Sequence, residues 1–93
     1  MNHKARRNQD VMASADMLQK AASWLAARGF ALLYANIGIH PEPRISVAPG
    51  PACRDLKRLG AVTVGQTNVN GRTQIRWEGT VEGCLVEWLE DAA

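Results

Sequence analysis

Aromatic side chains are scarce in this chain: one Phe, one Tyr and three Trp make up 5% of it. Cysteine is limited to Cys53 and Cys84, and histidine to His3 and His40. Those four side chains form no CxxC or HxxxH and match no zinc-binding spacing, so no metal and no cofactor is expected. No apolar run approaches the ~20 residues that span a bilayer. Met1–Gln9 begins like a secretion signal, with Lys4, Arg6 and Arg7, but no apolar core follows before Asp10. The expected location is the cytoplasm, where both cysteines are free thiols in or near the core. No glycine-rich phosphate loop is present, since Gly50-Pro51 lacks both the further glycines and the lysine. His40 stands in a proline-flanked turn with Glu42, without a nucleophile and orienting acid at any motif spacing. The reading is non-enzymatic.

Basic residues are absent from the whole stretch 77–93, which carries Glu78, Glu82, Glu87, Glu90 and Asp91. Their counterparts lie upstream. Lys4, Arg6 and Arg7 open the chain, and Arg44, Arg54, Lys57, Arg58, Arg72 and Arg76 face only Asp55 between residues 44 and 76. The net charge of +2 conceals this layout, and the layout says more about partners than the sum does.

What is present describes one globular domain. Ninety-three residues, 46% hydrophobic and 22% charged, suffice for a single core. Residues 1–9 are expected to form a basic arm and residues 10–93 the domain. Asp10 is positioned to cap a helix over Val11–Arg28, whose apolar stripe is Val11, Ala15, Leu18, Ala22 and Leu25. Gly29 ends that helix. Phe30–Ile37 reads as a strand, apolar on both faces and therefore interior to the sheet. Gly38–Pro43 is a turn, Arg44–Ala48 a second strand, and Ala52–Leu59 a short helix between Pro51 and Gly60.

The strongest local signal is the stretch Ala61–Leu89. Asn70-Gly71 suits a type I′ turn, which requires positive φ at both central positions. Closing it pairs Val69 with Arg72, Thr67 with Gln74, Gln66 with Ile75, Val64 with Trp77 and Val62 with Gly79. A second tight turn at Glu82-Gly83 pairs Val81 with Cys84, Gly79 with Val86 and Trp77 with Trp88, at the cost of setting Leu85 and Leu89 on the outer face and Glu78 opposite Glu87. Residues 81–89 also fit a helix capped by Thr80, but the strand satisfies both turns in one register. The expected fold is α+β: a long N-terminal helix on an antiparallel sheet of about five strands, in the order αββαβββ, with a short second helix.

Two binding readings follow. Met17 and Trp24 flank the helix stripe, and with Arg54, Lys57, Arg58, Arg72 and Arg76 they are candidate contacts for a protein partner, since Trp and Arg anchor interfaces. The bland alternative is that Met17 and Trp24 wrap the edge of the sheet. An edge strand, either Arg44–Ala48 or Cys84–Leu89, would also accept a partner strand. The second reading is nucleic acid, bound by Lys4, Arg6 and Arg7 together with the bases of 54–76. Against it stand the lack of a helix-turn-helix signal, the acidic C-terminal strand, and a hairpin polar face with no aromatic to stack on a base. No membrane contact is expected, and the chain is read as a monomer or homodimer.

Four stretches carry a resemblance: Arg28-Gly29-Phe30, Pro43-Arg44-Ile45-Ser46-Val47, Cys53-Arg54-Asp55-Leu56 and Gly83-Cys84-Leu85-Val86-Glu87-Trp88. They resemble small prophage-encoded proteins of unknown function from Gram-negative bacteria, which end in a similar Gly-Cys-x-Val-x-Trp stretch. The likeness covers about the last two-thirds of the chain and leaves Met1–Gln9 outside. It implies a phage or prophage accessory protein in a bacterial host, of the kind that modulates or inhibits host machinery such as a defence system. It supplies no catalytic residue.

Overall fold

The computed structural model describes residues 3–92, with side chains from Arg6 onward. The elements are α1 (His3–Ala27), β1 (Leu32–Asn36), β2 (Arg44–Val47), α2 (Cys53–Arg58), β3 (Val62–Val69), β4 (Arg72–Val81) and β5 (Cys84–Asp91). The class is α+β in the order αββαβββ, and the five strands form one sheet ordered β1-β2-β5-β4-β3.

Both turn signals act as the sequence predicts. Asn70 and Gly71 have φ of 51° and 78°, and Glu82 and Gly83 have 51° and 80°. The β4–β5 register is the expected one, with Val81 opposite Cys84, Gly79 opposite Val86 and Trp77 opposite Trp88. Residues 84–91 are therefore strand and not helix. Both helices end in the same way. Phe30 N–H donates to the Leu25 carbonyl and Gly29 N–H to that of Ala26, while Ala61 and Gly60 repeat the pattern on Leu56 and Lys57. Gly29 and Gly60 take the positive φ that this Schellman ending requires.

The sheet is mixed, not antiparallel as expected: β2 runs parallel to β5. The helix between β2 and β3 returns the chain to the end from which β2 started, so β3 points the same way as β2. In the β3–β4–β5 meander β5 then also runs with β2, and it takes the place beside it. Three consequences follow. Strand β5 is central, β2 is flanked on both sides, and the open edges are β1 and β3 instead of β2 or β5. The strand that reads as interior, β1, is an edge.

A second departure lies in β3. From Gln66 to Val69 the pairing is the expected one, but a bulge between Thr63 and Gly65 sets Thr63 opposite Trp77 and Val62 opposite Glu78. Val62 thus changes face, and both Val62 and Val64 are exposed. Gly65 is the local cause that the sequence offers, since an isolated glycine within a strand commonly marks a bulge.

The core lies on one face of the sheet under both helices. Ile45, Val47, Val81, Cys84, Val86 and Trp88 meet Ala21 and Leu25 from α1 and Cys53 and Leu56 from α2. Gly79 leaves room for the turn that follows α2: a Cβ there would stand 3.1 Å from that of Ala61. The covered part of α1 is its C-terminal half, where Met17, Leu18, Ala22 and Trp24 also pack against the core. Val11 and Ala15, expected in the buried stripe, are exposed. At 1.5 Å per residue the 25-residue helix is about 37 Å long, whereas β1 and β2 have five and four residues and cover less than about half of that. The helix also begins before Asp10, at His3, so Asp10 lies within it and is no cap, and the expected arm is partly helical. Lys4, Ala5, Arg6, Arg7 and Gln9 are strong helix formers, which is why it extends there. Met1 and Asn2 lie outside the described residues.

Candidate protein-binding face

With both helices on one side, the opposite face of the sheet is covered by no secondary-structure element among the described residues. Its composition follows from the strand registers, because directly paired residues share a face. One row across the strands reads Tyr34, Ser46, Glu87, Glu78 and Val62. The next reads Asn36, Arg44, Leu85 and Thr80, and on the other side Leu89, Arg76 and Gly65. Leu85, Glu87 and Leu89 alternate along central β5 and are each half-buried, although no helix lies over them.

The charges on this face are arranged against one another. Glu78 and Glu87 are direct cross-strand neighbours. The Glu78 side chain, 20% exposed, has Arg76 at 3.9 Å, and Glu87 makes no ion pair among the described residues. Arg44 reaches Glu42 at 3.5 Å. Two polar atoms of the same row, Asn36 Oδ1 and Arg44 Nε, are shielded from solvent and have no hydrogen-bond partner among the described residues. A shielded donor and acceptor left unmatched cost free energy. Beside it, Leu59, Gly60, Val62, Glu78, Thr80 and Leu85 line a depression of about 280 Å³.

The residues predicted from sequence are not brought together here. Met17 and Trp24 belong to the underside of α1: the Met17 methyl sits over Gly83, and the Arg28 guanidinium lies 3.7 Å from the centroid of the Trp24 ring. Both are partly buried and pack against the core. Arg54, Lys57 and Arg58 lie on α2, on the helix side of the sheet, whereas Arg76 lies on the open side and Arg72 at the hairpin tip. The basic stretch 54–76 is therefore divided between two faces, and acids accompany it. Lys57 binds Glu90 at 2.9 Å, Arg58 reaches Asp55 at 3.6 Å and Arg72 reaches Asp91 at 3.9 Å. Arg6 and Arg7 are exposed on the part of α1 that extends past the sheet, and the side chain of Lys4 lies outside the described residues.

Lys57 also has a structural role. Its ammonium is 4.3 Å from the centroid of Trp77, and Glu90, which it binds, accepts a 2.7 Å hydrogen bond from Trp88 Nε1. Burial alone would raise the Glu90 pKa, but the indole N–H and the ammonium outweigh it and hold the carboxyl below the usual range. Burial, reinforced by the Glu90 charge, pushes the Cys53 thiol up against the opposing pull of a Gly50 backbone hydrogen bond and of Lys57. The Cys84 thiol is raised by burial and by Glu82. Neither is tuned as a nucleophile. Among the described residues no three His, Cys, Asp or Glu side chains gather as metal ligands do, and no helix is long and apolar enough to cross a membrane.

The strand reading of 81–89 already sets Leu85 and Leu89 outward on the face of Arg72, Arg76, Glu78 and Glu87; what it does not contain is that both helices pack on the other face. No family model, curated protein or solved structure matches this chain.

Proposed function

We propose that this chain is a small non-enzymatic accessory protein that binds another protein through the open face of its sheet and modulates or inhibits it. One observation carries the reading: Leu85 and Leu89 stand on the uncovered face of the central strand, on either side of Glu87. An apolar pair rimmed by charge is the make-up of a contact surface, where an apolar centre excludes water and a polar rim sets orientation. A phage or prophage origin, a bacterial cytoplasmic location and a target within a host defence system belong to the same proposal, through the resemblance described above. The two free, buried cysteines are in keeping with a reducing compartment.

Site-specific photo-crosslinking in bacterial lysate tests it. A crosslinking side chain at Glu87 should capture one discrete protein, and the same group at Lys20, on the outer surface of α1, should not. Equal capture at both positions, or none at Glu87, would sink the proposal. Nucleic-acid binding is the second reading, supported by exposed Arg6 and Arg7. It requires binding to DNA or RNA that weakens steeply with salt and whose salt slope falls in Arg6→Ala/Arg7→Ala.

A further inference from the structure

Strand β1 is out of keeping with its place. It lies at an edge of the sheet, yet Leu32, Leu33 and Tyr34 are 42%, 61% and 59% exposed, and Ile39 just beyond is 72% exposed. A strand apolar on both faces is the mark of an interior position. Natural edges are normally blunted by Lys, Pro or charge. Between Arg28 and Glu42 the chain has no Lys, Arg, Asp or Glu, and no Pro before Pro41, although 22% of the chain is charged. The bulge between Leu32 and Tyr34 bends the start of β1 but leaves Tyr34, Ala35 and Asn36 in regular register. On the same side of the molecule the part of α1 beyond the sheet exposes Val11, which with Ile37, Gly38 and His40 lines a depression beside the end of β1. These are two places where apolar sequence expected to be buried is exposed, and they adjoin.

We propose that β1 is completed by β1 of a second copy of this chain, paired antiparallel across a two-fold axis, so that two sheets become one. The charge pattern selects this occupant. A two-fold axis sets a strand against itself, so a charged strand repels its copy, and β1 is neutral throughout. Its flanks differ in charge: the first is positive and the second balanced. Arg28 precedes it, and Glu42 follows it, held by Arg44, with Arg7 and Asp10 beside the intervening loop. Antiparallel pairing brings the Arg28 end of one copy to the Glu42 end of the other, whereas parallel pairing sets like ends together. The remaining edge, β3, is also uncharged and exposes Val62, Val64 and Val69, but these are interspersed with Thr63, Gln66, Thr67 and Asn68, which suit contact with water, whereas the exposed Leu32, Leu33 and Tyr34 of β1 are contiguous. A β1-paired dimer joins the two open faces into one surface with a Tyr34 from each copy at the seam.

Sedimentation equilibrium on the full chain, with hydrogen exchange at several concentrations, tests this. The expected result is a dimer in which the amides of Leu32–Asn36 gain protection as concentration rises and those of β3 do not. Leu33→Lys, at an exposed position that leaves the core intact, should keep the circular dichroism spectrum and weaken the dimer at least about tenfold. Thr67→Lys on β3 should leave the dimer unchanged. A chain that stays monomeric, one that assembles beyond a dimer, or a dimer sensitive to Thr67→Lys but not to Leu33→Lys would overturn the proposal. Its failure is distinguishable from failure of the binding reading, because crosslinking from Glu87 to another protein can be scored in the Leu33→Lys chain itself.

Discussion

Trp77 and Trp88 face each other across the β4–β5 ladder, their rings within 3° of parallel and their centroids 6.0 Å apart. The pair follows from the turn at Glu82-Gly83, which sets every pairing between those strands. Trp88 is fully enclosed, while Trp77 is half-buried under Lys57. Trp88→Ala should therefore cost about 3–5 kcal/mol, with Trp77→Ala costing distinctly less. Urea denaturation followed by circular dichroism measures both, and equal losses would contradict this division of the core.

Stability should depend on pH through Glu90. Its pKa is lowered in the fold, so its stabilisation is present above the unfolded-state value of about 4.3 and is lost as pH falls through the folded-state value. Urea midpoints measured from neutral to acid pH should fall across that window, and less steeply in Glu90→Gln.

The two cysteines should resist modification while the chain is folded. Burial comes first among the causes that keep each thiol protonated. Treatment with a thiol reagent near neutral pH should label neither appreciably, and both should react once urea unfolds the chain. Fast labelling of the native protein would show that the enclosure of Cys53 and Cys84 is wrong.

Gly83 and Met17 should be energetically coupled. A side chain at Gly83 meets both an unfavourable positive φ and the Met17 methyl. Gly83→Ala should cost roughly 1–3 kcal/mol for the backbone conformation alone, with a further loss from the collision. Combined with Met17→Ala the total should fall short of the sum of the two single losses, because the smaller side chain removes the collision and leaves the backbone cost. Simple additivity in a double-mutant cycle would mean that the contact is absent.

The pair Glu78 and Glu87 offers a test in which stability and binding move in opposite directions. Like charges directly opposite on neighbouring strands destabilise by a fraction of a kcal/mol, so Glu87→Gln should stabilise the fold by about 0.2–1 kcal/mol. On the proposed reading the same change weakens capture of the partner. A gain in stability with binding unaffected would place the contact away from Glu87.

Local features of this fold are legible in the sequence because a few residues encode them. Asn70-Gly71 and Glu82-Gly83 admit positive φ, and each turn then dictates the strand pairs nearest to it. Gly29 and Gly60 end their helices for the same reason. Only the tertiary structure decided how the β1–β2 hairpin meets the meander. Hydrophobic periodicity reports which face of an element is apolar but not which other element will cover it, so the parallel β2–β5 join, and with it the edge position of β1, stayed out of view. The bulge at Thr63–Gly65 shifted Val62 by one residue, which is enough to exchange faces. The outward setting of Leu85 and Leu89 is legible in the strand register, whereas the packing of both helices on the side of Trp88, which leaves the other face open, is a tertiary product.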